Sequence, residues 1–285
     1  MPNHTINRLF PSAILISTIL WSGLLSNKVQ AGPLPPGSLQ FTASGTNGSD
    51  GAVAATVLFV PIAGGIEITL TNTESGTLDK GQAISALSFS VGGGLSTPTA
   101  FYKLTGSKVN SASFTPGSAF PGSATVTSIA NTSSKAGAGA IDHWGFDPSG
   151  SNVVLATAGS SVSGATGHPH YMILPSTGTT GSAKSLADGH FDPYLLGPAN
   201  FFLTVPGVTA TTDLSLTNVT GVQVGFGTGP DVTIASGPGT QGPPHGNGPP
   251  VGAAPAPPSV VLFGIGGIAL AGVMVRSRRR LVVAA

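Results

Sequence analysis

Short runs in which apolar and polar residues alternate restrict the fold of this chain more than any other feature. In residues 66–71 (IEITLT) the apolar side chains fall at 66, 68 and 70. In 87–91 (LSFSV) they fall at 87, 89 and 91, and in 222–226 (VQVGF) at 222, 224 and 226. A period of two places every second side chain on one face, which suits a strand buried on one side, whereas a helix would scatter the same residues around its surface. Residues 57–60 (VLFV) are continuously apolar and fit a central strand or a wall between two layers. Further strands are expected at 39–42, 125–129, 153–157, 171–174, 201–205, 214–219 and 232–235, with Gly, Pro, Asn and Asp punctuating most gaps. No stretch of roughly 10–15 residues between strands carries a helical pattern, which excludes a βαβ architecture. No fixed-period repeat suggests a propeller or solenoid. The expected fold is therefore all-β, a sandwich or jelly-roll-like domain over residues 32–236.

Charge narrows the function classes. All five Arg lie near the ends, at Arg8, Arg276, Arg278, Arg279 and Arg280, while all ten acidic residues lie between Asp50 and Asp231. Residues 32–254 hold five Lys against those ten acids, net −5. A negative body without Arg is a poor match for phosphate backbones, so no nucleic-acid partner is expected. The absence of Cys excludes disulfides, thiolate catalysis and Fe–S clusters.

Both ends read as targeting segments. Arg8, the apolar run 9–25 and the polar stretch 26–31 (SNKVQA) fit a signal peptide spanning 1–31, with cleavage by signal peptidase after Ala31. Residues 237–258 are mostly Gly and Pro and read as a semi-extended linker. Residues 259–275 (SVVLFGIGGIALAGVMV) are uncharged, and as a helix they rise about 26 Å, a short transmembrane span. The basic tail 276–285 follows at once, with Arg276, Arg278, Arg279 and Arg280, and the positive-inside rule keeps it in the cytoplasm with the β body outside.

Pro255, Ala256 and Pro257 sit just ahead of that span. A short Pro motif, one apolar span and an Arg cluster at the chain end resemble the PEP-CTERM sorting signal of exosortase substrates, over about 30 residues. Pro255 and Pro257 match the two prolines of the family's Pro-Glu-Pro motif, and Ala256 stands where the family has glutamate. The resemblance implies an outer-membrane-bearing bacterium, transient anchoring in the inner membrane and cleavage near the Pro motif by an exosortase-like membrane protease. It also implies delivery to the cell surface or an exopolysaccharide matrix. Residues 191–195, 197–201 and 224–229 are similar to the ends of many β-rich proteins of that kind. An unprocessed type I membrane-anchored adhesion domain is the rival reading of the tail.

Catalytic signatures are sparse. No G-x-S-x-G elbow or H-E-x-x-H helix occurs. The glycine run 225–229 leads to another strand, so no helix follows to cap a phosphate. Glu67 alternates with core positions and is expected to face solvent, and Asp142, Asp147, Asp188 and Asp192 read as turn residues. The one constellation with ligand character is His168, His170, His190 and Asp192. Two i, i+2 pairs from converging loops would offer a divalent metal three imidazoles and a carboxylate. The leading expectation is a non-enzymatic exported protein without a cofactor, associating weakly with exopolysaccharide through exposed aromatics such as Trp144, Tyr171 or Tyr194. The alternative is a secreted metal-dependent enzyme built on the histidines.

Overall fold

The computed structural model describes residues 32–110, 114, 115, 117–122, 124–132, 139–157, 168–181, 186–229 and 232–246. The expected signal segment with Ala31, the motif Pro255, Ala256 and Pro257, the span 259–275 and the tail Arg276, Arg278, Arg279 and Arg280 lie outside the described residues. Among the described residues no helix is long and apolar enough to cross a membrane.

The body is all-β. In chain order the strands are β1 (Leu39–Asn47), β2 (Gly51–Ile62), β3 (Gly65–Asn72), β4 (Thr77–Leu78), β5 (Ile84–Val91) and β6 (Ala100–Val109). Then come β7 (Ala119–Phe120), β8 (Thr127–Thr132), β9 (Gly139–Ile141), β10 (Trp144–Ser149), β11 (Asn152–Ala156) and β12 (Ile173–Leu174). The last are β13 (Gly178–Thr180), β14 (Tyr194–Thr204), β15 (Val219–Phe226), β16 (Val232–Ala235) and β17 (Thr240–Gln241). Fourteen of them share one sheet, ordered β17-β1-β2-β3-β14-β12-β5-β11-β10-β9, with β6 and β8 branching from β14 and with β15 and β16 branching from β5. The short β12 is the junction: it runs parallel to β14 through Ile173↔Leu195 and antiparallel to β5 through Ile173↔Ile84. Asn72 pins this junction, its buried amide donating to the carbonyls of Gln82 at 2.8 Å and Ile173 at 3.1 Å.

Alternation in the sequence becomes burial in the fold. Val57 and Phe59 are buried while Leu58 and Val60 are half-exposed, so the continuous apolar run on β2 is a one-sided strand between β1 and β3. Inward side chains from the two parts of the sheet meet in one core: Phe59 on β2 lies edge-on to Phe89 on β5 at 5.0 Å, and Trp144 on β10 to Phe201 on β14 at 4.8 Å. Each such aromatic pair adds roughly 0.5–1.5 kcal/mol beyond the area it buries. A second apolar cluster, including Leu78, Phe120, Met172, Phe191 and Tyr194, packs beside the small β4-β13-β7 sheet.

Two expectations shift. Residues 214–218 are not a strand; β15 begins at Val219. The Asn218 side chain accepts from the Ser215 N–H at 2.8 Å and donates to the Gly93 carbonyl at 2.8 Å, so this segment closes as a side-chain-capped turn. The folded body also runs past 236, into the stretch expected as linker. Gly237 N–H donates to Thr42, β17 pairs with the edge of β1, and Gly242 N–H donates to Ser38. Composition misleads here because glycine permits the approach: a Cβ on Gly242 would sit 2.2 Å from the Pro35 carbonyl oxygen. The Asp213 carboxylate holds the far end through His245, 2.9 Å from its ring nitrogen, and the hydrogen bonds from His245 backbone and ring lower the Asp213 pKa.

Candidate functional site

Two surface regions gather side chains with binding chemistry. The first is the open face of β2, β3, β14 and β6. In-register pairing lines up Val60, Glu67, Phe202 and Lys103 in one row and Leu58, Thr69, Asn200 and Thr105 in the next, all half-exposed. An irregularity enriches the first row. Phe202 pairs with Lys103 but Leu203 pairs with Phe101, so Tyr102 is an extra residue on β6. Such a bulge re-aims a side chain: Tyr102 and Lys103 are both half-exposed between buried Phe101 and Leu104. The Tyr102 ring lies 6.2 Å from that of Phe202, and the Lys103 ammonium lies 4.6 Å from the Phe202 centroid. Glu67 faces outward, as its alternation implied.

Sequence reasoning looked for exposed aromatics elsewhere. Trp144 and Tyr194 are fully buried, so neither can present a ring to a ligand, and Tyr171 is half-buried. Trp144 begins a core strand, and Tyr194 sits in the second core, where burial raises its phenol pKa. The signal for Tyr102 and Phe202 was an aromatic one position out of phase with the buried ones, Phe101 and Phe201.

The second region is the histidine edge. The ring of His168 faces His190 at 5.9 Å and Phe191 at 6.4 Å. His190 lies on the short turn Gly189–Phe191, capped by the Asp188 carboxylate, which also lies 3.8 Å from Lys80. His170 turns a different way. Its Nδ1 bonds to the backbone carbonyl of Asp192, and its ring lies 4.6 Å from that of His143. The four predicted ligands are thus neighbours joined as two pairs, and among the described residues no three His, Asp or Glu side chains group as a metal cage.

His143, which the sequence assigned no ligand role, is the ring that meets His170. It belongs to the tight turn between β9 and β10, where Ile141 pairs with Trp144 and only Asp142 and His143 intervene. Their φ angles are +48° and +64°. His143 lies at the surface, where partial desolvation lowers its pKa, His170 lowers it further, and Asp142 opposes both. Tyr171 stacks on His143 at 5.9 Å and 20°, and burial followed by the Asp142 charge raises its phenol. The Trp144 indole N–H donates to the Tyr171 carbonyl at 3.0 Å and ties the turn to the core.

A groove of about 340 Å³ lies elsewhere, lined by Phe41, Leu216, Val219, Val222 and Pro238 among others. None of its lining residues ionises near neutral pH, so it offers no acid or base. In comparison with known proteins, no family model, no curated protein and no solved structure matches this chain.

Proposed function

We propose that this chain is an exported, non-enzymatic surface or matrix protein whose sandwich-type body associates weakly with exopolysaccharide. In this reading residues 1–31 are removed after Ala31, and residues 259–275 anchor the chain transiently in the inner membrane. An exosortase-like protease then cleaves near Pro255, Ala256 and Pro257, with the Arg276–Arg280 cluster left inside.

The observation that carries the binding half is the pair of half-exposed rings, Tyr102 and Phe202, side by side on the open face. Sugar rings present C–H faces that pack on aromatic rings, and their hydroxyls match the Thr69, Asn200 and Thr105 row beside that pair. Few contacts of this kind give weak affinity that many displayed copies would multiply.

Affinity electrophoresis through exopolysaccharide from the native cells tests the binding. The parent chain is expected to be retarded, and a Tyr102→Ala/Phe202→Ala double variant to lose about tenfold in affinity. Equal retardation of the two would refute the assignment. Mass spectrometry of both mature termini from fractionated cells tests the sorting. Loss of everything beyond the 255–258 region, with protein outside the inner membrane, supports it; an intact 276–285 tail in the inner membrane overturns it.

A further inference from the structure

Among the described residues, three non-glycine positions have a left-handed backbone: Asp142, His143 and Tyr171. All three lie at one place, the histidine edge. A two-residue hairpin turn with both φ angles positive strongly favours Asn-Gly or Asp-Gly. Asp142 satisfies the first preference, but His143 stands where glycine costs least. A side chain held at such a position is a reason to ask what it does.

We propose that His143 and His170 form a two-imidazole clip for one divalent transition-metal ion of the copper and zinc class. The ring centroids lie 4.6 Å apart with the planes tilted by 45°, a centroid spacing compatible with one ion about 2.1 Å from a nitrogen of each. A carbonyl oxygen only accepts, so Nδ1 of His170 is the nitrogen that donates to Asp192, and in the neutral ring Nε2 is the one left with a lone pair for an ion. That is the outer bond that orients a ligating histidine. Tyr171 stacks on the His143 ring and is itself held by the Trp144 indole, so the clip rests on a core strand. The Asp142 carboxylate, bonded to the Asn131 amide, adds negative charge beside the ion. With two protein ligands, water fills the remaining positions. Imidazole without thiolate selects copper, nickel or zinc over calcium or magnesium. The clip uses His143 in place of His168 and His190, and it is independent of the polysaccharide reading.

The test is titration of the purified full chain with Cu²⁺, followed by calorimetry and by the nitrogen hyperfine pattern in electron paramagnetic resonance. The expected result is one saturable equivalent coordinated by two imidazoles, weakened at least tenfold in both His143→Gly and His170→Gln, and unchanged in a His168→Gln/His190→Gln variant. His143→Gly removes the ligand while improving the turn, so its thermal melting is expected at or above that of the parent. Lost binding in that variant cannot then be ascribed to unfolding. The clip is overturned if His143→Gly retains the equivalent, or if only the His168/His190 variant loses it.

Discussion

The open face around Phe202 and the edge around His143 are both clusters of side chains at the surface, yet they are built by opposite means. The face stands on regular strands. Its rows follow from antiparallel register, and of the two register shifts between β14 and β6, one between Leu196 and Asn200 and one at Tyr102, the second adds a residue to the face without straining its φ angle. The edge stands on turns, with three non-glycine residues in left-handed conformations and two histidine pairs drawn from separate loops. A strand-built face tolerates substitution of what it displays, because the display does not hold the strands together. A turn-built edge couples display to backbone energy, so its side chains and its stability change together.

Trp144 connects the two regions and offers the harshest way to break the comparison. It is fully buried, meets Phe201 at 4.8 Å directly behind the open face, and donates to Tyr171 at the edge. Trp144→Ala is expected to cost about 3–5 kcal/mol, as large aromatic truncations in cores do. Urea denaturation measures it. The prediction fails if the midpoint moves by less than the error of the fit.

His143→Gly sharpens the contrast. A left-handed non-glycine residue costs roughly 1–2 kcal/mol, and glycine returns part of that as greater freedom in the unfolded chain. The net expectation is a gain of up to about 1 kcal/mol. Tyr102→Ala on the open face should leave the denaturation midpoint nearly unmoved by comparison. If His143→Gly instead destabilises the chain, the imidazole's packing against Tyr171 outweighs its backbone cost, and the contrast between face and edge loses its energetic basis.

How far the sequence foretold these regions follows the same division. Alternation located β3, β5 and β15 because each buries one face, and it placed Glu67 outward, whereas β2 was found from its continuous apolar run 57–60. It overlooked β6, where Thr105, Gly106 and Ser107 dilute the apolar pattern and the bulge puts Tyr102 and Lys103 on one side together. It also passed over β10, whose run of buried Trp144, Gly145 and Phe146 shows no alternation. At the edge, the i, i+2 spacing of His168 and His170 suggested one ligand set, but the two rings turn to different partners. Residue spacing specifies direction on a regular strand. It does not do so where Tyr171 takes a left-handed φ immediately after His170. Of the two-residue turn between Ile141 and Trp144, only Asp142 carried a sequence signal, as a turn-favouring residue.

The smallest expected effect is on pH dependence, and its sign follows from His143. Partial desolvation of this surface imidazole comes first in lowering its pKa, His170 adds to the fall, and Asp142 partly reverses it. Among the described residues Tyr171 stacks on His143, and the Asn131 amide donates to the neighbouring Asp142 carboxylate. The folded chain therefore takes up this proton less readily than the unfolded chain, whose histidines titrate near about 6.5. The unfolded state binds more protons as pH falls through that range, so the contribution of neutral His143 is complete above it and is lost below. His143→Asn keeps a residue that tolerates the left-handed turn and removes the titration. The parent's urea midpoint should fall more steeply from pH 7.5 to pH 5 than the variant's, with the two curves parallel above pH 7.5. Equal slopes across the window would mean that His143 takes up its proton as readily in the fold as outside it, and the edge would then be strained in its backbone alone.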